Sequence, residues 1–148
     1  MILFILADVK EIAKKGRDYP WSKPDKCPKC GDYNVWGHGF VERCFDNFNH
    51  LLLIKRYRCP SCGCVICYRP IDFFKRFQAT VQTIKSCITS RLILGKWNPH
   101  ISKSRQRHWL NALRRRTIAF FGNTYNRSLI DAFDDFSKMG QIPISRSL

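Results

Sequence analysis

Eight cysteines stand in a chain of 148 residues, and four of them fall into two copies of one phrase. Cys27-Pro28-Lys29-Cys30-Gly31 and Cys59-Pro60-Ser61-Cys62-Gly63 both read Cys-Pro-x-Cys-Gly. A two-residue gap lets both thiolates of a pair turn toward one point, while nearby backbone amides soften their negative charge. Two such pairs supply four soft ligands in a tetrahedron, the arrangement Zn²⁺ takes in closed structural sites. Glycine after the second cysteine suits a tight knuckle, because it adopts positive φ at little cost. One CxxC alone would equally suit a redox motif. Buried or disulfide-bonded cysteines would leave the repeated Pro and Gly unexplained. The expected metal ligands are therefore Cys27, Cys30, Cys59 and Cys62.

Competitors for the metal stand close by. Cys64-Val65-Ile66-Cys67 is another CxxC, but it lacks the Pro and Gly of a knuckle. A three-residue offset in a strand also sends its two thiols to opposite faces, so they read as core or spare thiols. His38 could replace a cysteine as ligand, against the plainer reading of a polar strand residue. Cys44 has no partner at ligand spacing, and Cys87 reads as core on the apolar face of a helix.

The second chemical signal is charge. Lys and Arg number 26 against 11 Asp and Glu, a formal net charge of +15. Such a balance calls for a polyanionic partner, nucleic acid first. The bland alternatives are a solvated basic surface, or a ribosomal-type protein whose charge only neutralises rRNA. The distribution is more telling than the total, because Phe73 to Ile130 contains no acidic residue. A merely solvated surface normally intersperses both signs. An apolar fraction of 45% permits a core and excludes a disordered basic tail.

These groups need elements to position them. Residues 2 to 7 read as a short strand or as the first turn of a helix ending near Lys15, and periodicity does not decide. Gly16 to Lys26 reads as an extended lead-in, with Trp21 packing on the strands after it. Val35 to Phe45 reads as a twisted strand whose Gly37 and Gly39 mark a bulge or a close approach of backbone. Asp46-Asn47 is a turn signal, Leu51 to Arg58 the return strand and Val65 to Tyr68 a third. Strand, turn, strand, knuckle, strand is the order of a zinc ribbon, a sheet too small to stand alone. Metal binding, worth on the order of 10–16 kcal/mol in small zinc modules, would hold it together.

Beyond Pro70 the pattern turns helical. Thr80 to Leu94 places Val81, Ile84, Ile88 and Leu92 at helical spacing, with Thr80 as N-cap. Gly95, Asn98 and Pro99 break that helix. A second runs from Ser102 or Ser104 to about Phe121, with Trp109, Ala112, Leu113 and Ile118 inward. Ser128 to Met139 reads as a third, with Phe133 and Phe136 inward and Asp131, Asp134 and Asp135 solvated or compensating the helix dipole. Helix, break, basic helix is the layout of a helix-turn-helix, whose second helix enters the major groove. Its connection here is longer than the usual three or four residues. The candidate DNA contacts are Lys103, Ser104, Arg105, Gln106, Arg107, Asn111, Arg114 and Arg115. Arg suits guanine bidentately and Gln suits adenine, while Ser and Lys hold phosphates.

The expected fold class is thus α+β: a small antiparallel zinc ribbon followed by an α-helical, helix-turn-helix-like domain. Residues 1–26 form the lead-in, 27–70 the ribbon, 71–140 the basic helical domain and 141–148 a loose tail.

Several of these stretches also resemble a known family. Tyr19-Pro20-Trp21, the first knuckle, Val35-Trp36-Gly37-His38-Gly39, and Arg56-Tyr57-Arg58 with the second knuckle look like the zinc-ribbon head of bacterial insertion-sequence transposases and their small relatives. Ser104-Arg105-Gln106-Arg107-His108-Trp109-Leu110 is similar to the helix-turn-helix segment that follows that head. The resemblance covers roughly residues 19 to 121. It implies that Cys27, Cys30, Cys59 and Cys62 hold zinc and that the basic helix recognises element DNA. Full transposases of this kind add a ribonuclease-H-like domain whose carboxylates bind two metal ions. Beyond Gly122 the remaining 26 residues are too few for that sheet.

The chain is therefore expected not to be an enzyme by itself. No nucleophile–base pair, Gly-rich phosphate loop or paired carboxylates occur in its basic half, and His38, His50, His100 and His108 form no HxxxH-type set. Double-stranded DNA is the expected partner, with structured or ribosomal RNA as the alternative and no membrane. A homodimer or a separate catalytic partner remains compatible with the sequence. The apolar run Ile2–Ala7 has no basic residues before it and is too short for a signal h-region, so the expected location is cytoplasmic.

Overall fold

A computed structural model describes residues 1–145, and the chain divides into two compact units at Ala79/Thr80. The expected change of character after Pro70 thus falls nine residues before the division, because Ile71 to Ala79 belongs with the first unit.

In that unit, β1 (Ile2–Ile5), β2 (Trp36–Arg43), β3 (Leu52–Arg58) and β4 (Val65–Pro70) form one sheet in the order β1-β4-β3-β2. β2, β3 and β4 run antiparallel, near the bounds their β-branched and aromatic residues predict. β1 departs from the expectation of a small antiparallel sheet. It lies parallel to β4, Ile2 opposite Cys67 and Ile5 opposite Pro70. The lead-in is therefore partly a strand of the sheet. A parallel partner needs a long crossover, so no local turn signal betrays it.

Asp8 ends the apolar run and caps α1 (Val9–Lys15), accepting the Lys10 amide at 2.8 Å. Gly37 pairs with Tyr57 and Phe40 with Lys55, so His38 and Gly39 together oppose Arg56. This is the bulge the two glycines predict, and Gly39 takes φ +68° in it.

Directly opposed residues share a face of the sheet. Tyr57 and Ile66 look one way, toward Tyr68, and Trp21 packs on Tyr68 with ring centroids 5.9 Å apart. Ile12 of α1, Leu52, Ile54 and Tyr57 belong to one buried cluster, which Phe45 and Phe73 complete. Each fully buried aliphatic or aromatic side chain contributes about 1.5–3 kcal/mol. Arg69 is buried beside Phe45 and Phe73, its guanidinium 5.5 and 6.0 Å from their ring centres. Its Nε donates to the Phe74 carbonyl at 2.9 Å and an Nη to that of Phe77, so the buried charge fixes the segment after β4.

The second unit holds α2 (Val81–Leu94), α3 (Lys103–Phe121) and α4 (Leu129–Lys138), each packed on the other two. All three begin at the hydroxyl the sequence offers. Thr80 accepts from Thr83 N at 3.0 Å, Ser102 from Arg105 N at 3.4 Å, and Ser128 from Asp131 N at 3.1 Å. Asp131 returns the bond to the Ser128 amide at 3.1 Å, completing a capping box. The core is Ile84, Cys87 and Ile88 of α2, Trp109, Leu110, Ala112 and Leu113 of α3, and Ala132, Phe133 and Phe136 of α4.

Three expectations are corrected here. Leu92 and Ile118, expected inward, are exposed. Two acids of α4 are paired, Asp134 with Lys85 at 2.6 Å and Asp135 with Arg127 at 2.5 Å, whereas Asp131 sits in the first turn as a dipole-compensating group would. The stretch after Gly140 is not loose through residue 145, because Ile144 is fully buried and Gln141 accepts from Arg116 at 2.6 Å. The rest of the expected tail, residues 146–148, lies outside the described residues.

Candidate metal centre and nucleic-acid interface

The two knuckles close on one point. Gly31 and Gly63 take φ +78° and +68°, the left-handed turn that reverses the chain after each second cysteine. The Gly31 amide donates to the Cys27 carbonyl at 2.9 Å, and the Cys27 amide to the Asp32 carbonyl at 2.8 Å. The Cys59 amide donates to the Cys64 carbonyl at 2.9 Å. Between the knuckles, Ser61 donates its hydroxyl to the Asp32 carboxylate. That carboxylate also accepts the Asn34 amide at 2.8 Å, and with Ser61 this holds it below the usual range.

The sulfurs of Cys27, Cys30, Cys59 and Cys62 lie within 4.8 Å of one another. Cys27 and Cys62 are 3.7 Å apart, Cys30 and Cys59 3.5 Å. A tetrahedron with metal–sulfur bonds of about 2.3 Å has edges of roughly 3.8 Å, so the four sulfurs match a metal-holding set. Among the described residues they are the group placed to hold a metal ion. Cys64 and Cys67 stay outside it, Cys64 against the apolar cluster and Cys67 in β4 opposite Arg56. His38 and Cys44 stay outside it too, and Cys87 is buried in the helical core.

The electrostatics suit a cation. The backbone amide of Cys30, helped by that of Lys29 at 3.4 Å, lowers the Cys27 thiol to about 6 against the opposing effect of burial. The Asp32 amide lowers Cys30, but desolvation and the three neighbouring sulfurs outweigh it and push that thiol up to about 12. Cys62 is raised in the same way, its amide bond from Cys64 outweighed by burial and by Cys27 and Cys59. One thiolate forms readily and the next ones meet its charge. A dication at the centre would remove that repulsion.

In the second unit, the exposed side of α3 carries Lys103, Ser104, Arg107, Asn111, Arg114 and Arg115. At about 100° per residue these positions fall within an arc of roughly 120°. From Lys103 to Arg114 they run about 16 Å along the helix. Two expected contacts leave this stripe. Gln106 is 1% exposed, its Oε1 accepting from Asn98 N at 3.0 Å. Its Nε2 donates to the carbonyls of Asn98 at 2.8 Å and Ile101 at 2.7 Å. It therefore staples the α2–α3 connection and is not available to an adenine edge. The signal was present, since Gln106 is in helical phase with Trp109, Leu113 and Thr117. Arg105 is half-buried, its guanidinium 5.0 Å from the Trp109 ring centre.

The connection has further ties. Arg91 lies 4.5 Å over Trp97 and donates to the Gly95 carbonyl, and the His100 amide bonds Asn98 Oδ1 at 2.9 Å. A connection longer than the usual turn is thus held in one shape by side chains.

No family model, curated protein or solved structure matches this chain. No helix among the described residues is long and apolar enough to cross a membrane.

Proposed function

We propose that this chain is a zinc-dependent protein that binds duplex DNA. By its resemblance to insertion-sequence transposases, it corresponds to their element-recognition portion. The observation that carries the reading is the exposed stripe on α3, cationic and polar, within a stretch of sequence free of acids. Four sulfurs at tetrahedral spacing favour zinc as the metal, because a thiolate set selects soft or borderline ions.

In this reading α2, the stapled connection and α3 act as a helix-turn-helix, with α3 in the major groove. With Gln106 engaged internally, Arg107 and Asn111 become the base-reading pair, Arg toward guanine and Asn toward adenine. Lys103, Ser104, Arg114 and Arg115 take phosphates.

Selection from a random duplex pool at two salt concentrations, with structured RNA as competitor, tests the reading. A recurrent motif that survives the higher salt is expected. Indifference to duplex at low ionic strength, or displacement by RNA, would overturn it. Elemental analysis should find one equivalent of zinc per chain.

A further inference from the structure

We propose that the Trp36 end of the sheet is a second nucleic-acid site, one that takes unpaired bases of single-stranded DNA. β2 is an edge strand, and at its start the Trp36 ring is 62% exposed. Three residues earlier Tyr33 is 75% exposed, held at the strand entrance by the bond from the Val35 amide to its carbonyl. Buried Val35 anchors the chain between them.

The register sets two arginines of β3 on the same face as this indole. Trp36 pairs with Arg58, which pairs in turn with Val65. One rung along, Arg56 stands between the His38–Gly39 bulge and Cys67. Neighbouring strands are about 4.8 Å apart, so exposed Arg58 lies within side-chain reach of a base stacked on the indole, while half-buried Arg56, its Nε enclosed, adds charge from behind. The four strands contain one acid, Glu42, and its pairing with Leu53 turns it to the opposite face. Neither Arg56 nor Arg58 has an acidic partner among the described residues.

An exposed indole with an exposed arginine beside it is a stacking platform with a phosphate contact. A duplex offers it nothing, because the faces of paired bases are covered by their neighbours. Unpaired bases present those faces whatever their sequence. An acidic protein surface would satisfy the arginines but would leave the indole without its partner. The choice of DNA over RNA rests on the duplex-binding function proposed for α3; the platform itself does not.

The test uses the full chain with its metal and a labelled single-stranded oligothymidylate at low salt, read by anisotropy. Trp36→Ala should weaken binding roughly ten- to hundredfold, the usual loss for one stacked base. Trp36→Phe should keep most of the affinity, since net charge is the same in both variants and only the ring differs. Duplex affinity and metal content should not change in either. The double variant Arg107→Ala/Arg114→Ala should do the opposite, weakening duplex and sparing oligothymidylate. Equal binding by wild type and Trp36→Ala, equal losses on duplex and single strand, or preference for oligouridylate would overturn the proposal. Trp36-dependent oligothymidylate binding in a protein indifferent to duplex would sustain this site and sink the function of α3.

Discussion

At the scale of single residues, the centre depends on sulfurs that do not ionise alike. Cys27 at about 6 lies below its ordinary 9.0, while Cys30 is pushed up to about 12. In the metal-free protein the Cys27 thiolate contributes stability that is complete above pH 9 and is lost as pH falls through 6. Cys30 contributes with the opposite sign, through its retained proton, and loses that contribution as pH rises toward 12. A metal needs all four sulfurs deprotonated, so it already displaces protons from Cys30 and Cys62 at neutral pH, and Cys27 adds a further competing proton as pH falls through about 6. Titration with a chromophoric chelator should show release between pH 7 and 5. Cys30→Ser or Cys62→Ser should abolish stoichiometric zinc; a full equivalent retained would refute the ligand assignment. Gln106 supplies a second test. Gln106→Ala removes three hydrogen bonds and strands buried backbone groups in the α2–α3 connection. A loss of about 1–3 kcal/mol in denaturant unfolding is expected.

At the scale of elements, α3 and α4 divide the labour of charge. α3 leaves Lys103, Arg107, Arg114 and Arg115 exposed, whereas α4 and its flank tie Arg127 to Asp131 at 3.5 Å and to Asp135 at 2.5 Å. Each phosphate contact adds about 0.9 to the salt slope of log affinity. Arg114→Ala/Arg115→Ala should therefore flatten that slope by about 1.8, measured by duplex titration across salt. The start of α4 answers to acid. Asp131 is lowered from 3.8, first by the Ser128 hydroxyl and then by the Ser128 amide, with Arg127 adding to both. Its contribution is present above 3.8 and disappears as pH falls through the lower folded value. Ser128→Ala breaks the capping box, so helical unfolding should cost about 1 kcal/mol less and its acid transition should move to higher pH.

At the scale of the whole molecule, a net charge of +15 makes association with nucleic acid steeply salt-dependent. The three charged phosphate contacts, Lys103, Arg114 and Arg115, predict roughly a fortyfold loss of duplex affinity between 50 and 200 mM salt. A flat response would mean that the charge is solvation only. Much of this architecture is legible one residue at a time. Knuckle spacing, the glycines of the bulge, the three hydroxyl caps and, apart from Leu92 and Ile118, the apolar phase of α2, α3 and α4 all lie within a few positions of what they control, so the chain alone determined them. The rest depends on partners that no local spacing announces, whether far along the chain or brought round by a loop. β1 finds β4 across more than sixty residues, and Gln106 turns inward because Asn98 and Ile101 come within its reach. Arg69 tolerates burial because the rings of Phe45 and Phe73 and two carbonyls receive it. A polar or charged side chain chooses between water and an internal partner by whether that partner is in place, and only the folded chain puts it there.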